Sequence, residues 1–435
     1  QGAIGQGTGG VTESLKNRVI MPMTGSYWDT DHVLGHELIH AFQYNIAQSR
    51  QGGGLQGLMS NPLWLIEGMA EYLSVGRSDP LTAMWLRDAI LREDFPTIQQ
   101  MTREQRFFPY RFGQALWAYV GGVYGDDAVG AVFRRSLRIG FQPAIQQVLG
   151  VSADTLSVQW RRAVADAYSP LMEGRTLPDS LGGLLLDDEN AGRQNIAPAI
   201  SPDGRYVAFM SEKDLFSVDI FLADARTGRV IRKLVSAMSD PHSDALRYID
   251  SSGTWSPDGR QFAYVVFADG DNQINIVNVE GGGVRRRIAP EGVGEIKNPS
   301  WSPDGRYIAF SGIVGGISDL FMWDLETDEL TRLTNDRYGD FHVTWSPDSR
   351  ALAFASDRGP ETNFDSLTFS KFRIALLDLE TRQVQPLELL GNVRHSNPQF
   401  SPDGEWLYFL SDADGFSDIY RTGVADGDVE RITRV

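Results

Sequence analysis

The chain has 435 residues, no cysteine and a formal net charge of −17. Without cysteine there is no disulfide framework and no thiolate metal site, so any bound metal must be held by histidine and carboxylate. Residues 1–180 carry 15 basic and 17 acidic side chains, leaving 25 and 40 of the totals of 40 and 57 for residues 181–435, and so acidic a C-terminal part argues against nucleic acid or anionic lipid as partner.

Length predicts about three domains, and no run of 18 apolar residues is present to span a membrane. The chain starts at Gln1 without a signal-peptide pattern and reads as a mature or trimmed product. Residues 1–10 are glycine-rich. Residues 17–23 read as a short strand that Pro22 ends or marks as a sheet edge, either purely structural or able to pair with an extended substrate backbone.

Asp29, Thr30 or Asp31 is expected to cap a helix running to about Ile46. Within it lies His36-Glu37-Leu38-Ile39-His40, and three of the six histidines fall between positions 32 and 40. Helical residues four apart share a face, so His36 and His40 can offer two imidazoles to one metal ion with Glu37 beside them. The plainer alternative is an amphipathic helix with histidines on its polar side.

Residues 51–57 read as a flexible glycine-rich loop. Asn61-Pro62 is expected to open a second helix as N-cap and first residue, with Gly76 closing it. In that otherwise apolar helix Glu67 and Glu71 share a face, and two buried carboxylates are costly unless something positive meets them. A zinc ion with its histidine ligands would. Asp79-Pro80 starts a helix to about Arg92, and further helices are expected at 126–138 and 152–168.

His36-Glu37-x-x-His40 followed by Trp64-Leu65-x-Glu67-Gly68-x-Ala70 resembles the gluzincin metallopeptidases, notably the aminopeptidase N and leukotriene hydrolase group. The resemblance implies Glu67 as third ligand of one Zn²⁺, after a 26-residue gap longer than usual for the group, and Glu71 as a carboxylate behind the ligands that hydrogen-bonds a ligating histidine. Pro109-Tyr110-x-x-Gly113-x-Ala115-Leu116 is similar to the group's segment whose tyrosine stabilises the tetrahedral intermediate, a role that falls on Tyr110. Gln43 and Ile46 stand where metzincins need glycine and histidine, which excludes that class. The amine-binding Gly-x-Met-Glu-Asn segment has no counterpart before His36, so endopeptidase activity is favoured over aminopeptidase. Because only 35 residues precede His36, a missing N-terminal segment or another chain is expected to complete the peptidase sheet.

Residues 170–196 read as a linker. Beyond them Ser201-Pro202-Asp203-Gly204-Arg205 recurs from Ser256, Ser302, Ser346 and Ser401, at spacings of 55, 46, 44 and 55 residues. An apolar residue (Ile200, Trp255, Trp301, Trp345, Phe400) ends one strand, Pro-Asp-Gly turns the chain, and an alternating run such as Tyr307–Phe310 opens the next. With strands over Asp319–Leu325 and Asp418–Tyr420 and a fourth after each, four strands per repeat make a propeller blade. The set resembles TolB-like propellers. Five blades are recognisable, and such propellers commonly have six. Asn298, His342 and Asn397, four residues before the repeat serine, either line a central channel or make strand-end hydrogen bonds. Asp412-Ala413-Asp414-Gly415 lacks the glutamate of a calcium loop and reads as a turn.

The expected fold is therefore multidomain: a mostly α, zincin-like metallopeptidase domain over 1–178, a linker over 179–196 and an all-β propeller over 197–435. The expected function is zinc-dependent peptide hydrolysis with Glu37 and Tyr110 catalytic, His36, His40 and Glu67 on the metal, Glu71 behind them, and a propeller that binds or filters a peptide or protein substrate or a protein partner. The alternative is a non-catalytic envelope scaffold whose metal site is structural or degenerate. No Gly-x-Ser-x-Gly elbow is present, so a serine hydrolase gated by the propeller would need a domain outside this chain. Resemblance to TolB-like proteins implies a periplasmic or extracellular location in a bacterial envelope.

Overall fold

The computed structural model describes residues 10–14, 16, 18–49, 53–177, 180–192, 194–214, 218–236, 245–246, 253–268, 270–425 and 427–435. Among them the chain separates into two compact units, one of residues 10–22 and Trp28–Arg175, the other of Met23–Tyr27 and Thr176–Val435. The expected limits at Pro178 and Asp179 lie outside the described residues.

In the first unit a two-stranded antiparallel ribbon, β1 (Val11–Glu13) and β2 (Arg18–Ile20), precedes nine α-helices among the described residues. These are α1 (Tyr27–Gln48), α2 (Gly54–Met59), α3 (Leu63–Val75), α4 (Pro80–Leu91), α5 (Ile98–Arg103), α6 (Pro109–Tyr124), α7 (Asp126–Ile139), α8 (Phe141–Leu149) and α9 (Ala153–Tyr168). β2 ends before Pro22, whose missing N–H cannot continue the ladder. Asn17, the first residue of the expected strand, lies outside the described residues.

α1 begins at Tyr27, so Asp29, Thr30 and Asp31 sit inside it and do not cap it, and Asp29 meets the positive end of the helix dipole in the first turn. Pro62 is the N-cap of α3, one position later than expected, and Gly76 closes that helix at φ 93°. Asp79 caps α4 by accepting from Thr82 N at 2.8 Å. The supposed flexible loop is half wrong: Gly54–Met59 is helical, because Leu58 buries itself in the core, while Gln51 and Gly52 lie outside the described residues. α5 and α8 were not expected. Thr97 forms a capping box with Gln100 around α5, and α8 runs between Gly140 and Gly150.

Trp64, Trp117, Phe133 and Trp160 are almost fully buried and centre the helical core. α3 and α6 form its spine, tied by Trp117 Nε1 donating to Leu65 O (3.2 Å) and Gln114 Nε2 donating to Gly76 O (2.7 Å). That pairing sets the glutamates of α3 beside the first turn of α6.

Among the described residues the second unit holds five antiparallel sheets. Blade one is β3 (Ile196–Ile200), β4 (Tyr206–Ser211), β5 (Asp219–Asp224) and β6 (Val230–Val235). Blade two is β7 (Ala245–Leu246) and β8 (Thr254–Trp255), both pairing with β9 (Gln261–Ala268), then β10 (Asp271–Asn278) and β11 (Val284–Ile288). Blade three is β12 (Glu295–Trp301), β13 (Tyr307–Val314), β14 (Ile317–Asp324) and β15 (Leu330–Arg332). Blade four is β16 (Asp340–Trp345), β17 (Ala351–Ser356), β18 (Arg373–Asp378) and β19 (Val384–Pro386). Blade five is β20 (His395–Phe400), β21 (Trp406–Ser411), β22 (Asp418–Gly423) and β23 (Val429–Arg431).

Each Ser-Pro-Asp repeat is one hydrogen-bonded turn. In the first, Ser201 Oγ donates to Asp203 Oδ1 (2.6 Å) and accepts from Tyr206 N (2.9 Å), while Arg205 N donates to the same Asp203 oxygen (3.1 Å). The serine–aspartate bond recurs at 2.5–2.6 Å in the other four copies. Hydrophobic clusters lie between successive blades, and Trp255 Nε1 and Trp345 Nε1 each donate to a carbonyl of the preceding blade, Ala199 O and Ser300 O. The expected linker is partly structural, since Leu185, Leu186 and Ala191 cover the apolar side of blade one.

Asn298, His342 and Asn397 have φ of 49°, 56° and 51° and sit where the register of the first strand shifts against the second. They are β-bulge residues, in the left-handed region that asparagine tolerates better than most side chains. Asp412–Gly415 is a turn, closed by Gly415 N donating to Asp412 O at 2.8 Å.

Candidate metal centre

α1 presents His36 and His40 one turn apart, both buried, and α3 brings Glu67 against them. His36 Nε2 lies 3.1 Å from His40 Nε2 and 3.3 Å from Glu67 Oε2, and His40 Nε2 lies 3.1 Å from the same Glu67 oxygen. Three donor atoms thus mark a nearly equilateral triangle. Zinc ligands at roughly 2.0–2.2 Å in a tetrahedron are about 3.3–3.6 Å apart, and the edges found here, 3.1–3.3 Å, lie at the short end of that spacing.

The proton inventory points the same way. Gln43 Nε2 donates to Ile66 O at 3.0 Å, which turns Gln43 Oε1 toward His40 Nδ1 at 2.9 Å and makes that nitrogen the protonated one. His36 Nδ1 lies 3.0 Å from Glu71 Oε1, close though not a well-aligned hydrogen bond, and a carboxylate there also selects Nδ1–H. Both Nε2 atoms then turn lone pairs toward each other and toward a carboxylate oxygen. Only a proton or a cation relieves that arrangement, and the donor set of two imidazoles and one carboxylate suits zinc.

Without a metal the proton serves. Burial lowers the His36 pKa, but Glu67 and Glu71 more than reverse this and raise it to about 9. Burial likewise raises the Glu67 pKa, and hydrogen bonds from His36 and His40 overcome it to give about 2. Glu71 is opposed by burial and held far below the usual carboxylate range by His32 and His36.

Glu37 is buried next to His36. Tyr110, in the first turn of α6, stacks its ring on His36 at 5.8 Å between centroids and 18° between planes. Burial raises its hydroxyl pKa, and the charges of Glu67, Glu71 and Glu37 raise it further. The structure therefore gathers all six anticipated residues into one region of the helical unit.

Sequence reading missed four others. Gln43 orients His40. His32, one turn before His36, approaches Glu71 at 3.4 Å. Arg111, the neighbour of Tyr110, pairs with Asp79 at 2.7 Å and approaches Glu71 at 3.7 Å. Thr12 on β1 donates to Glu37 Oε2 at 2.6 Å. The signals for His32 and Gln43 were their helical offsets of four and three from the ligand pair. No sequence signal connects Thr12 to Glu37 across 25 positions.

Residues 242–370 match the family described as TolB beta propeller domain. The second unit is a TolB-like propeller of five blades. The Tol-Pal system protein TolB of Hydrogenovibrio crunogenus is 32% identical over 109 residues, 25% of this chain and 22% of that protein. The uncharacterized peptidase YuxL of Bacillus subtilis is 26% identical over 234 residues, 52% of this chain and 31% of that protein. The chain thus spans under a third of the length of each of these curated relatives. A crystal structure of TolB from Acinetobacter baumannii aligns with 20% identity and a TM-score of 0.41, covering 66% of this chain and 60% of that one. Among the described residues no helix is long and apolar enough to cross a membrane.

Proposed function

We propose that the helical unit is a zinc-dependent peptidase of gluzincin type, favouring internal peptide bonds. The observation that carries this reading is the triangle of His36 Nε2, His40 Nε2 and Glu67 Oε2, with edges of 3.1–3.3 Å. His36, His40 and Glu67 would hold one zinc ion. When bound, zinc supplies Lewis acidity, which can lower the pKa of water from 15.7 to about 7.

The remaining chemistry belongs to the chain. Glu37 accepts the proton of the attacking water and returns it to the departing amine nitrogen. Tyr110, kept protonated by burial and by the surrounding carboxylates, donates to the oxygen that becomes negative during attack, a contribution of about 10²–10³ in rate for such a donor. Gln43 bonds the second nitrogen of His40 and fixes its tautomer, and the Glu71 carboxylate, 3.0 Å from His36 Nδ1, biases His36 the same way. The acidic propeller is assigned to substrate or protein-partner binding, and its likeness to TolB supports placing the protein in a bacterial envelope.

The test is a peptide library digested by the zinc-loaded chain and by Glu37→Gln. The variant is expected to retain stoichiometric zinc and lose cleavage by more than 100-fold. Cleavage that survives in Glu37→Gln, or a wild-type chain that neither binds zinc nor cuts peptides, overturns the reading in favour of a binding protein.

A further inference from the structure

Glu37 is held by a part of the chain that none of the motifs includes. Thr12 Oγ1 lies 2.6 Å from Glu37 Oε2 and 3.0 Å from Glu37 O, so its single proton has both acceptors in reach. The shorter contact is to the carboxylate, the stronger acceptor. On the other oxygen the backbone closes in: a Cβ placed on Gly10 would lie 2.6 Å from Glu37 Cγ and from Oε1, so only glycine leaves the carboxylate where it is. The strand carrying these contacts is itself fixed. Thr12 pairs with Val19 in the β1–β2 ribbon, Arg18 bonds Glu13 at 2.8 Å, and Gln48 at the end of α1 donates to Ser14 O at 3.2 Å.

We infer that Thr12 is a positioning residue: its hydroxyl, with Gly10 as steric backstop, fixes the Glu37 carboxylate in the orientation needed to take a proton from water. This rests on the peptidase reading above. A glutamate has three rotatable side-chain bonds, and a base that must meet one water in one direction gains from losing that freedom before the substrate arrives. The helix alone does not provide it. The backbone of α1 sets where Glu37 starts, and β1 sets where its carboxylate ends.

The experiment compares Thr12→Val, Thr12→Ser and Gly10→Ala with wild type and Glu37→Gln in the zinc-loaded full chain. Thr12→Val keeps the shape and removes the donor, and is expected to lower kcat about 10-fold or more with KM and zinc content unchanged. Thr12→Ser restores kcat to within about twofold of wild type, and Gly10→Ala lowers it like Thr12→Val. If Thr12→Val leaves kcat intact or raises it while Glu37→Gln abolishes cleavage, the positioning role is overturned and the peptidase reading stands. If wild type cleaves nothing, the peptidase reading fails on its own, and a double-mutant cycle of Thr12→Val with Glu37→Ala on the thermal midpoint decides the contact: coupled shifts support it and additive shifts overturn it.

Discussion

Gly68 of α3 and Gly113 of α6 touch backbone to backbone. A Cβ on Gly68 would come within 2.4 Å of the Gly113 Cα and carbonyl carbon, and one on Gly113 within 2.4 Å of Trp64 O. Neither neighbour is a side chain that could swing away. Gly68 follows Glu67 directly and Gly113 lies three residues after Tyr110, so this approach sets the distance between a candidate ligand and the candidate oxyanion donor.

Gly113→Ala is therefore expected to push α3 from α6, costing about 1–3 kcal/mol of stability as overpacking does. Zinc affinity should fall in the same variant. Chemical denaturation and a chelator competition measure the two, and a variant as stable and as tight as wild type would show that the helices have slack.

Glu71→Gln should weaken zinc about 10–100-fold while leaving the fold intact. The carboxylate lies 3.0 Å from His36 Nδ1 and favours a proton on that nitrogen, which leaves Nε2 to meet a metal. Competition with a chromophoric chelator reads the change directly.

The metal-free protein should lose stability as pH rises from about 6.5 to 9. The His36 pKa is near 6.5 when unfolded and raised to about 9 when folded, so its contribution is complete below 6.5 and is lost as the folded group deprotonates. Glu67, lowered to about 2, contributes fully above about 4.5 and loses its share as pH falls toward 2. Zinc binding needs His36 without its proton, so the rise in melting temperature on adding zinc should be larger at pH 8.5 than at pH 6. Calorimetry with and without zinc tests this, and a metal-induced shift independent of pH would contradict it.

In blade four, burial raises the Asp357 pKa to about 7, helped by the charge of Asp340 and opposed by the hydrogen bond from Gly339 N at 2.8 Å. The folded group binds its proton more tightly than the unfolded one, so stability falls as pH rises from about 4 to 7. Asp357→Asn keeps an acceptor for Gly339 and removes the charge. It should stabilise the protein at pH 8 by on the order of 4 kcal/mol and change little at pH 4, as urea titrations at the two values would show.

Some of this architecture is local and so readable in the linear order. Two histidines four apart must share a face if the segment is helical, and α1 places both Nε2 atoms 3.1 Å apart. A serine two residues before an aspartate closes the same turn five times because every bond in it spans at most five positions. The repeat period then counts the blades. Where the reading failed, a longer-range contact had overruled a local rule: Gly54–Met59 is helical because Leu58 is buried, and the linker gives Leu185 and Leu186 to blade one.

Residue identity and spacing by themselves determined the helix that carries the histidines, the turns of the propeller and the identity of the candidate ligands. The tertiary structure alone decided that Glu67, 27 positions beyond His40, stands 3.1 Å from it, that Gln43 rather than a carboxylate orients His40, and that Thr12 grips Glu37. The reason is physical: a contact within one turn follows from the geometry of the turn, whereas a contact across 25 or more residues exists only once packing, here the glycine-to-glycine approach of α3 and α6 and the seating of β1 on α1, has fixed where each element lies.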